Sequence, residues 1–313
     1  MTRINICIPT YNRNDGLKDL LSSLQQMTPL DDESISVNIL VIDNNPDRRA
    51  RSVVDGFQSE VYPIPVAYHH EPRPGVSHVR NTALALSANA DFIAFVDDDQ
   101  TVAVQWLTEH WRRRCETQAG VVWGACPAVY PERTSQWMLD GDFHSRIILE
   151  DNLRDAPVGI GNTFIEHAII KHLDLSFDPS LSEIGGEDIL LFSEMKAAGV
   201  IMANARNAIA YEHVPAGRVT LKWIRRRWRR AGWSDTLVKH RASSGLKPRI
   251  LAFVAGMIRI GAGGLLTGVW FILGGLKMTP RVAKGLYTLQ RGLGMVDFAR
   301  GHQILEYGRP VEA

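Results

Sequence analysis

Three consecutive aspartates, Asp97, Asp98 and Asp99, end the apolar run Phe92 to Val96. Carboxylates held at one point repel one another unless a cation neutralises them. Hard divalent ions such as Mg2+ or Mn2+ take oxygen ligands and bridge readily to phosphates. The D-x-D spacing of Asp97 and Asp99 lets one carboxylate face a nucleoside and the other a metal, with Asp98 in the middle as a second candidate for the metal. The competing reading is a solvated acidic turn that caps a helix starting near Val102. Glu187 and Asp188 follow Gly185 and Gly186 and open an amphipathic stretch that runs through Ala198. A carboxylate there can take the proton of an attacking hydroxyl, and the glycines allow close approach. Alternatively the pair simply complements the helix dipole. His213 is either a structural histidine or a neutral imidazole suited to Mn2+. Arg80, in Val79-Arg80-Asn81, either hydrogen-bonds a base or phosphates or lies on an exposed helix face.

These residues need elements to position them. Up to residue 100, short apolar runs alternate with amphipathic stretches. Ile4 to Ile8, Val37 to Ile42, Val66 to Tyr68 and Phe92 to Val96 read as strands; Leu17, Leu20, Leu21 and Leu24 share one helical face; Arg80 to Ala88 reads as a helix. Such alternation implies parallel strands with crossover helices, a fold that binds ligands at the carboxyl ends of its strands. Polar residues sit at three of those ends: Thr10 to Arg13, Asp43 to Asn45, and Asp97 to Asp99. Val121 to Ala125 is a further strand candidate. The chain is expected to divide into 1–217, with halves 1–100 and 101–217, then a basic helix over 218–245 and an apolar helical region over 246–313.

The 313 residues can bury a substantial core, and an apolar content of 45% with 22% charge excludes wholesale disorder. A net charge of +1 gives no global attraction to nucleic acid. Cys7, Cys115 and Cys126 have no CxxC spacing and read as buried small hydrophobes in a reducing compartment. The N-terminus enters an apolar strand without a secretory signal pattern, which reads as cytoplasmic.

Taken in order, the segments Ile6 to Arg13, Val41 to Asn45, Val79 to Leu84, Phe95 to Asp99, Gly186 to Leu191 and His213 resemble the inverting family-2 glycosyltransferases of the GT-A fold. Gly141 to Ser145 and Leu305 to Gly308 are further similar to the glucosyltransferases of succinoglycan-type exopolysaccharide assembly. The resemblance implies an α/β fold with a Rossmann-like nucleotide-binding sheet, helices on both its faces, and a C-terminal helical, membrane-associated segment. By the same likeness Pro9, Thr10, Tyr11 and Arg13 would line the nucleotide-sugar pocket with Asp98, and Asp43 would read a uracil ring. Arg80 would sit near the base or diphosphate, and Asp97 on the ribose side. Asp99, with His213, would hold Mn2+ or Mg2+; Asp188 would be the base, and Glu187 would line the acceptor site. The implied partners are a UDP-sugar donor (UDP-glucose by family likeness), a lipid-linked saccharide acceptor and the cytoplasmic surface of the inner membrane. A sugar nucleotidyltransferase would want a Gly-rich phosphate loop where Pro9-Thr10-Tyr11-Asn12 stands. A non-enzymatic binding module would leave the three polar strand ends without a role.

Arg225 to Arg230 interleave with Trp223, Trp228 and Trp233. No nucleic-acid fold signature accompanies them, so the expectation is an anionic membrane interface with the rings at headgroup depth. Ile250 to Leu276 is long enough to span a bilayer. Basic residues flank both its ends, which favours a re-entrant or in-plane hairpin over a single span; a helical pair buried in a soluble domain is the alternative.

Overall fold

A computed structural model describes residues 1–58, 63–153, 159–241 and 245–302; Leu305 to Gly308 lie outside them. The chain begins with β1 (Thr2–Thr10), α1 (Asn14–Gln25), β2 (Ile35–Asp43), α2 (Arg51–Asp55), β3 (Val66–His70), α3 (Val76–Leu86) and β4 (Phe92–Phe95). There follow β5 (Gln100–Val102), α4 (Trp106–Thr117), β6 (Val121–Gly124), β7 (Ala128–Val129) and α5 (Gln136–Gly141). After these come β8 (Thr163–Glu166), α6 (His167–His172), α7 (Glu187–Ala197), β9 (Met202–Ala205) and β10 (Ala210–His213). Three long helices close the described chain: α8 (Leu221–His240), α9 (Leu246–Leu273) and α10 (Pro280–Arg300).

Seven strands form one sheet in the order β3-β2-β1-β4-β8-β6-β9. Alternation along β1 builds two cores. Ile4, Ile6 and Ile8 pack with Leu17, Leu20, Leu21 and Leu24 of α1, whereas Cys7 joins Val79 and Ala83 of α3 on the opposite face. Strands covered on both faces read as unbroken apolar runs, which is why β1, β2 and β4 stand out in the sequence. Pro9 is tolerated because β4 pairs with β1 only as far as Cys7, so Pro9 faces only Ile42 of β2.

The parallel strands expected up to residue 100 are observed, since β1, β2, β3 and β4 pair in parallel. β8 enters between β4 and β6 and runs antiparallel to both. The helix expected over Arg80 to Ala88 starts at Val76, because Gly75 supplies the positive φ of 119° that turns the chain into it. Cys115 is exposed rather than buried, while Cys7 and Cys126 are buried free thiols. A second sheet, β5-β10-β7, stands at the end of β4.

The chain forms two compact units. The first contains Met1–Val129, Ser145–Ser182 and Glu187–His213; the second contains Tyr130–His144, Glu183–Gly186 and the described residues from Val214 onward. Within the second, Trp228 and Trp233 are 5% exposed, and Trp228 packs with Ile224 and Ala283. These rings are therefore core, not headgroup-level contacts. Their spacing along α8 gives that helix the apolar face that α10 covers, while Arg225 and Arg226 are exposed.

Candidate active site

The triple-aspartate turn joins β4 to β5 and is closed from below by Gln100. The Asp97 N–H donates to Gln100 Oε1 at 3.0 Å, and the Gln100 N–H donates to the Asp97 carbonyl at 3.0 Å. Asp98 and Asp99 turn toward Arg13, and Asp97 toward Arg80. Asp98 is 5% exposed. Its Oδ2 accepts from the Thr10 hydroxyl at 2.9 Å and the Tyr11 N–H at 3.2 Å, and its Oδ1 from Arg13 at 2.7 Å. Asp99 shares the same Arg13 nitrogen at 2.8 Å. The middle carboxylate is thus a strut that ties the β1–α1 turn to the β4–β5 turn. Burial raises its pKa, partly offset by Arg13. The acidic turn does not cap a helix; a strand follows it.

Asp97 is the more open carboxylate, with 35% of its side chain exposed. Desolvation in the cleft pushes its pKa up to about 6, opposed by Arg80 and reinforced by the Asp99 charge. Arg80 projects inward from α3, 6% exposed, over the ring of Phe177. It approaches Asp97 Oδ1 at 4.0 Å and forms an ion pair with Glu187 at the first turn of α7. One guanidinium therefore bridges two acidic motifs that are distant in the sequence.

A second bridge is the segment Gly159-Ile160-Gly161. The Ile160 N–H donates to Asp188 Oδ2 at 3.2 Å, and the Ile189 N–H donates to Asp188 Oδ1 at 2.8 Å. A Cβ at Gly159 would stand 3.5 Å from Asp188 Oδ2, and one at Gly161 would collide with the carboxylate of Asp97. Asp97 and Asp188 hence flank one short glycine-bounded strip. Asp188 is half-buried and held by two backbone donors, with lone pairs left on each oxygen. Asn162, the next residue, anchors the strip: its side chain accepts from Trp106 Nε1 at 2.6 Å and donates to the carbonyls of Ala125 and Ala208 at 2.9 Å.

Asp99 and His213 are neighbours by strand pairing, since the His213 N–H donates to the Asp99 carbonyl at 2.8 Å. The imidazole Nε2 lies 2.9 Å from the Thr101 hydroxyl. Among the described residues, no three His, Cys, Asp or Glu side chains form a ready-made metal cage. A hard carboxylate and an imidazole are ligand types that suit a cation whose remaining ligands are substrate phosphates and water.

The family model for glycosyl transferase family 2 matches residues 5–171. The succinoglycan biosynthesis protein ExoM of Rhizobium meliloti (strain 1021) is 32% identical over 244 residues, covering 78% of this chain and 77% of ExoM. The chain belongs to glycosyl transferase family 2. Solved structures with the same fold include the mannosyltransferase PcManGT from Pyrobaculum calidifontis in complex with GDP-Man and Mn2+. That match has a TM-score of 0.60 at 15% identity and covers 94% of this chain and 86% of that one. S. aureus TarS 1-349 in complex with UDP-GlcNAc matches with a TM-score of 0.53 at 16% identity, covering 96% and 93%. This family-2 glycosyltransferase therefore has the GT-A arrangement, and the nucleotidyltransferase and non-enzymatic readings fall away.

Three expected roles do not match the geometry of the glycosyltransferase. Asp43 is fully buried; its oxygens accept from the Asn45 N–H at 2.8 Å, the Ala50 N–H at 3.0 Å and the Tyr68 hydroxyl at 3.1 Å. It orders the loop after β2 instead of presenting a carboxylate to uracil. Glu187, 4% exposed and paired with Arg80, anchors the site rather than lining an open acceptor surface. That pairing also commits Arg80 to the two carboxylates, where a base or diphosphate contact was expected. Tyr11, half exposed, stands at the mouth of the β1–α1 turn, with Pro9 and the buried Thr10 beneath it. Sequence reasoning missed Gln100, Gly159, Gly161 and Asn162. The Gly-x-Gly at 159–161 followed by an asparagine at a positive φ of 76° was the one available signal.

Proposed function

We propose that the protein moves a hexose, glucose by family likeness, from a UDP-sugar to a lipid-linked saccharide at the cytoplasmic face of the inner membrane, with inversion at the anomeric carbon. The observation that carries the reading is the meeting of Asp97 and Asp188 across Gly159-Ile160-Gly161, braced by Arg80 and Glu187. The relative's part in succinoglycan biosynthesis supports an exopolysaccharide product. Structural neighbours with bound UDP-sugar and Mn2+ support the donor class and the metal.

Asp188 acts as the base. Its two backbone donors fix the carboxylate, and a remaining lone pair takes the proton of the acceptor hydroxyl. That hydroxyl attacks the anomeric carbon opposite the diphosphate; the bond to the leaving oxygen breaks, and an α-linked donor gives a β-linked product. Asp97 faces the ribose side of the donor, and Arg80 fixes Asp97 relative to α7. Asp99 and His213 would hold a divalent cation, which when bound neutralises charge on the diphosphate. Thr10, Tyr11 and Arg13 shape the floor for the nucleotide through Asp98.

UDP release measured with and without Mn2+ tests the assignment. Asp188→Asn should lose at least about 100-fold in turnover, the low end of what a general base contributes, while still binding UDP. Asp99→Ala should lose both turnover and the Mn2+ dependence. Full turnover in Asp188→Asn would remove the base assignment.

A further inference from the structure

Within the second unit, α9 buries only Pro248, Ala252, Gly256 and Gly263, a single stripe along the helix. α10 runs antiparallel along that stripe from end to end. Arg300 lies over Phe253 at one end and Arg281 over Trp270 at the other, with Gly256 against Gly292 and Gly263 against Leu289 between them. The missing Cβ atoms let the two backbones close up, so α10 takes one narrow face of α9 and leaves the rest bare. Of 27 exposed large hydrophobic side chains among the described residues, 14 lie from Leu246 to Leu276, among them Ile258 at 67%, Leu265 at 70% and Ile272 at 69%. Soluble surfaces do not carry apolar concentrations of this kind without a partner.

We propose that α9 lies in the plane of an anionic phospholipid bilayer, its outer face at the boundary between headgroups and acyl chains. The charge pattern selects that occupant. Between Asp235 and Asp297 the sequence has nine Lys and Arg and not one Asp or Glu. Four of the nine, Lys247, Arg249, Lys277 and Arg281, bracket α9, where they can meet lipid phosphates. The arginine-capped aromatic rings Phe253 and Trp270 mark the same interfacial depth at both ends of the helix.

Spanning is excluded by what α9 carries with it. Twenty-eight residues make a helix of about 42 Å, long enough to cross a hydrocarbon layer of about 30 Å. But α10 is bound along its whole length and holds Lys284, Arg291, Asp297 and Arg300. Arg291 is paired with Asp235 of α8, and Asp297 with Arg229 of α8 at 2.6 Å. A transmembrane α9 would pull that charged layer into hydrocarbon, where each charged side chain is costly to bury. Lying flat, α9 meets lipid while α10 and α8 stay on the wet side, and Arg259, at the flank beside Gly292, can reach the headgroups.

The inference rests on the membrane-borne acceptor of the functional reading but is measurable without turnover. In a Cys115→Ser background of the full chain, nitroxide labels are placed through Ile250→Cys, Ile258→Cys, Leu265→Cys and Ile272→Cys. Power-saturation depth is then read on vesicles of phosphatidylglycerol and phosphatidylethanolamine. All four labels should share one shallow depth of about 5–10 Å. Unlabelled Ile258→Glu/Leu265→Glu should lower the vesicle-bound fraction at least about tenfold, and neutral phosphatidylcholine vesicles should bind less of the unsubstituted chain. Depth rising to a maximum at 258 and 265 and falling at both ends would mean a span and overturn the proposal. So would absence of vesicle binding, including the case in which the bare face instead holds a lipid-free dimer that Leu265→Glu dissociates. UDP binding, read on the same samples, separates the two claims: docking without UDP binding defeats the transferase reading alone.

Discussion

Arg80→Met removes the cation that pairs with Glu187 and approaches Asp97, a loss of about 3–5 kcal/mol for a broken buried pair. Arg80→Met/Glu187→Leu exchanges the pair for apolar side chains and should recover most of that stability. Turnover should stay low in both, because neither holds Asp97 against α7. Denaturant unfolding and UDP release, measured side by side, check this; a double variant with restored turnover would show that the bridge serves stability alone. The residue scale is also where sequence reading was most uneven. The sequence singles out Asp97 after an apolar strand and Asp188 after a Gly-Gly turn, and the structure sets both beside the strip 159–161. Asp43, Asp98 and Glu187 look the same in sequence, yet each spends its oxygens on internal donors. Which carboxylates face inward depends on partners that arrive from distant segments.

At the scale of elements, glycines decide how closely the turns meet. Gly161→Ala places a methyl group against the Asp97 carboxylate, whereas Gly159→Ala makes only an ordinary contact at 3.5 Å with Asp188. Gly161→Ala should cut turnover at least about tenfold, a displacement effect of the size that small misplacements produce, and Gly159→Ala should leave it nearly intact. Gly16 offers a sharper contrast. It lies inside α1, where alanine ordinarily stabilises by about 1 kcal/mol, but its Cβ would strike the backbone carbonyl of Asp98. Thermal unfolding of Gly16→Ala should therefore shift down, with weaker UDP binding as the triple-aspartate turn moves. The sheet itself was legible through β1, β2 and β4, whose apolar runs are buried on both faces. β8 was not: four residues flanked by glycines and a histidine carry no period, and its antiparallel place follows from its two neighbours, not from its own pattern.

On the whole-molecule scale, the C-terminal third was legible as a basic helix followed by an apolar helical region, but not as the separate helices α9 and α10, nor as to which face each helix turns inward. Trp228 and Trp233 looked interfacial and are core, while Gly256, Gly263, Gly285 and Gly292 form a seam that hydrophobic patterning does not mark, because glycine belongs to neither an apolar nor a polar face. The two compact units share one physical device, a buried neutral histidine packed against a tryptophan ring, edge-on for His110 and stacked for His144, and it contributes to how the chain responds to acid. His110, fully buried 5.3 Å from Trp106, has its pKa pushed down to about 4, chiefly by desolvation. His144, 1% exposed and 5.4 Å from Trp223, is also pushed down to about 4, by burial first and then by the Arg227 charge. In the unfolded chain both titrate near 6.5, so between about pH 6.5 and 4 the unfolded state binds the extra protons. The contribution of each histidine is thus complete above about pH 6.5 and is lost as the pH falls toward 4, at up to about 1.4 kcal/mol per pH unit. Tryptophan emission during urea unfolding should show stability falling steadily over that window. His110→Gln should flatten the slope by about one proton; an unchanged slope would mean that the ring is already charged, or wet, in the folded protein.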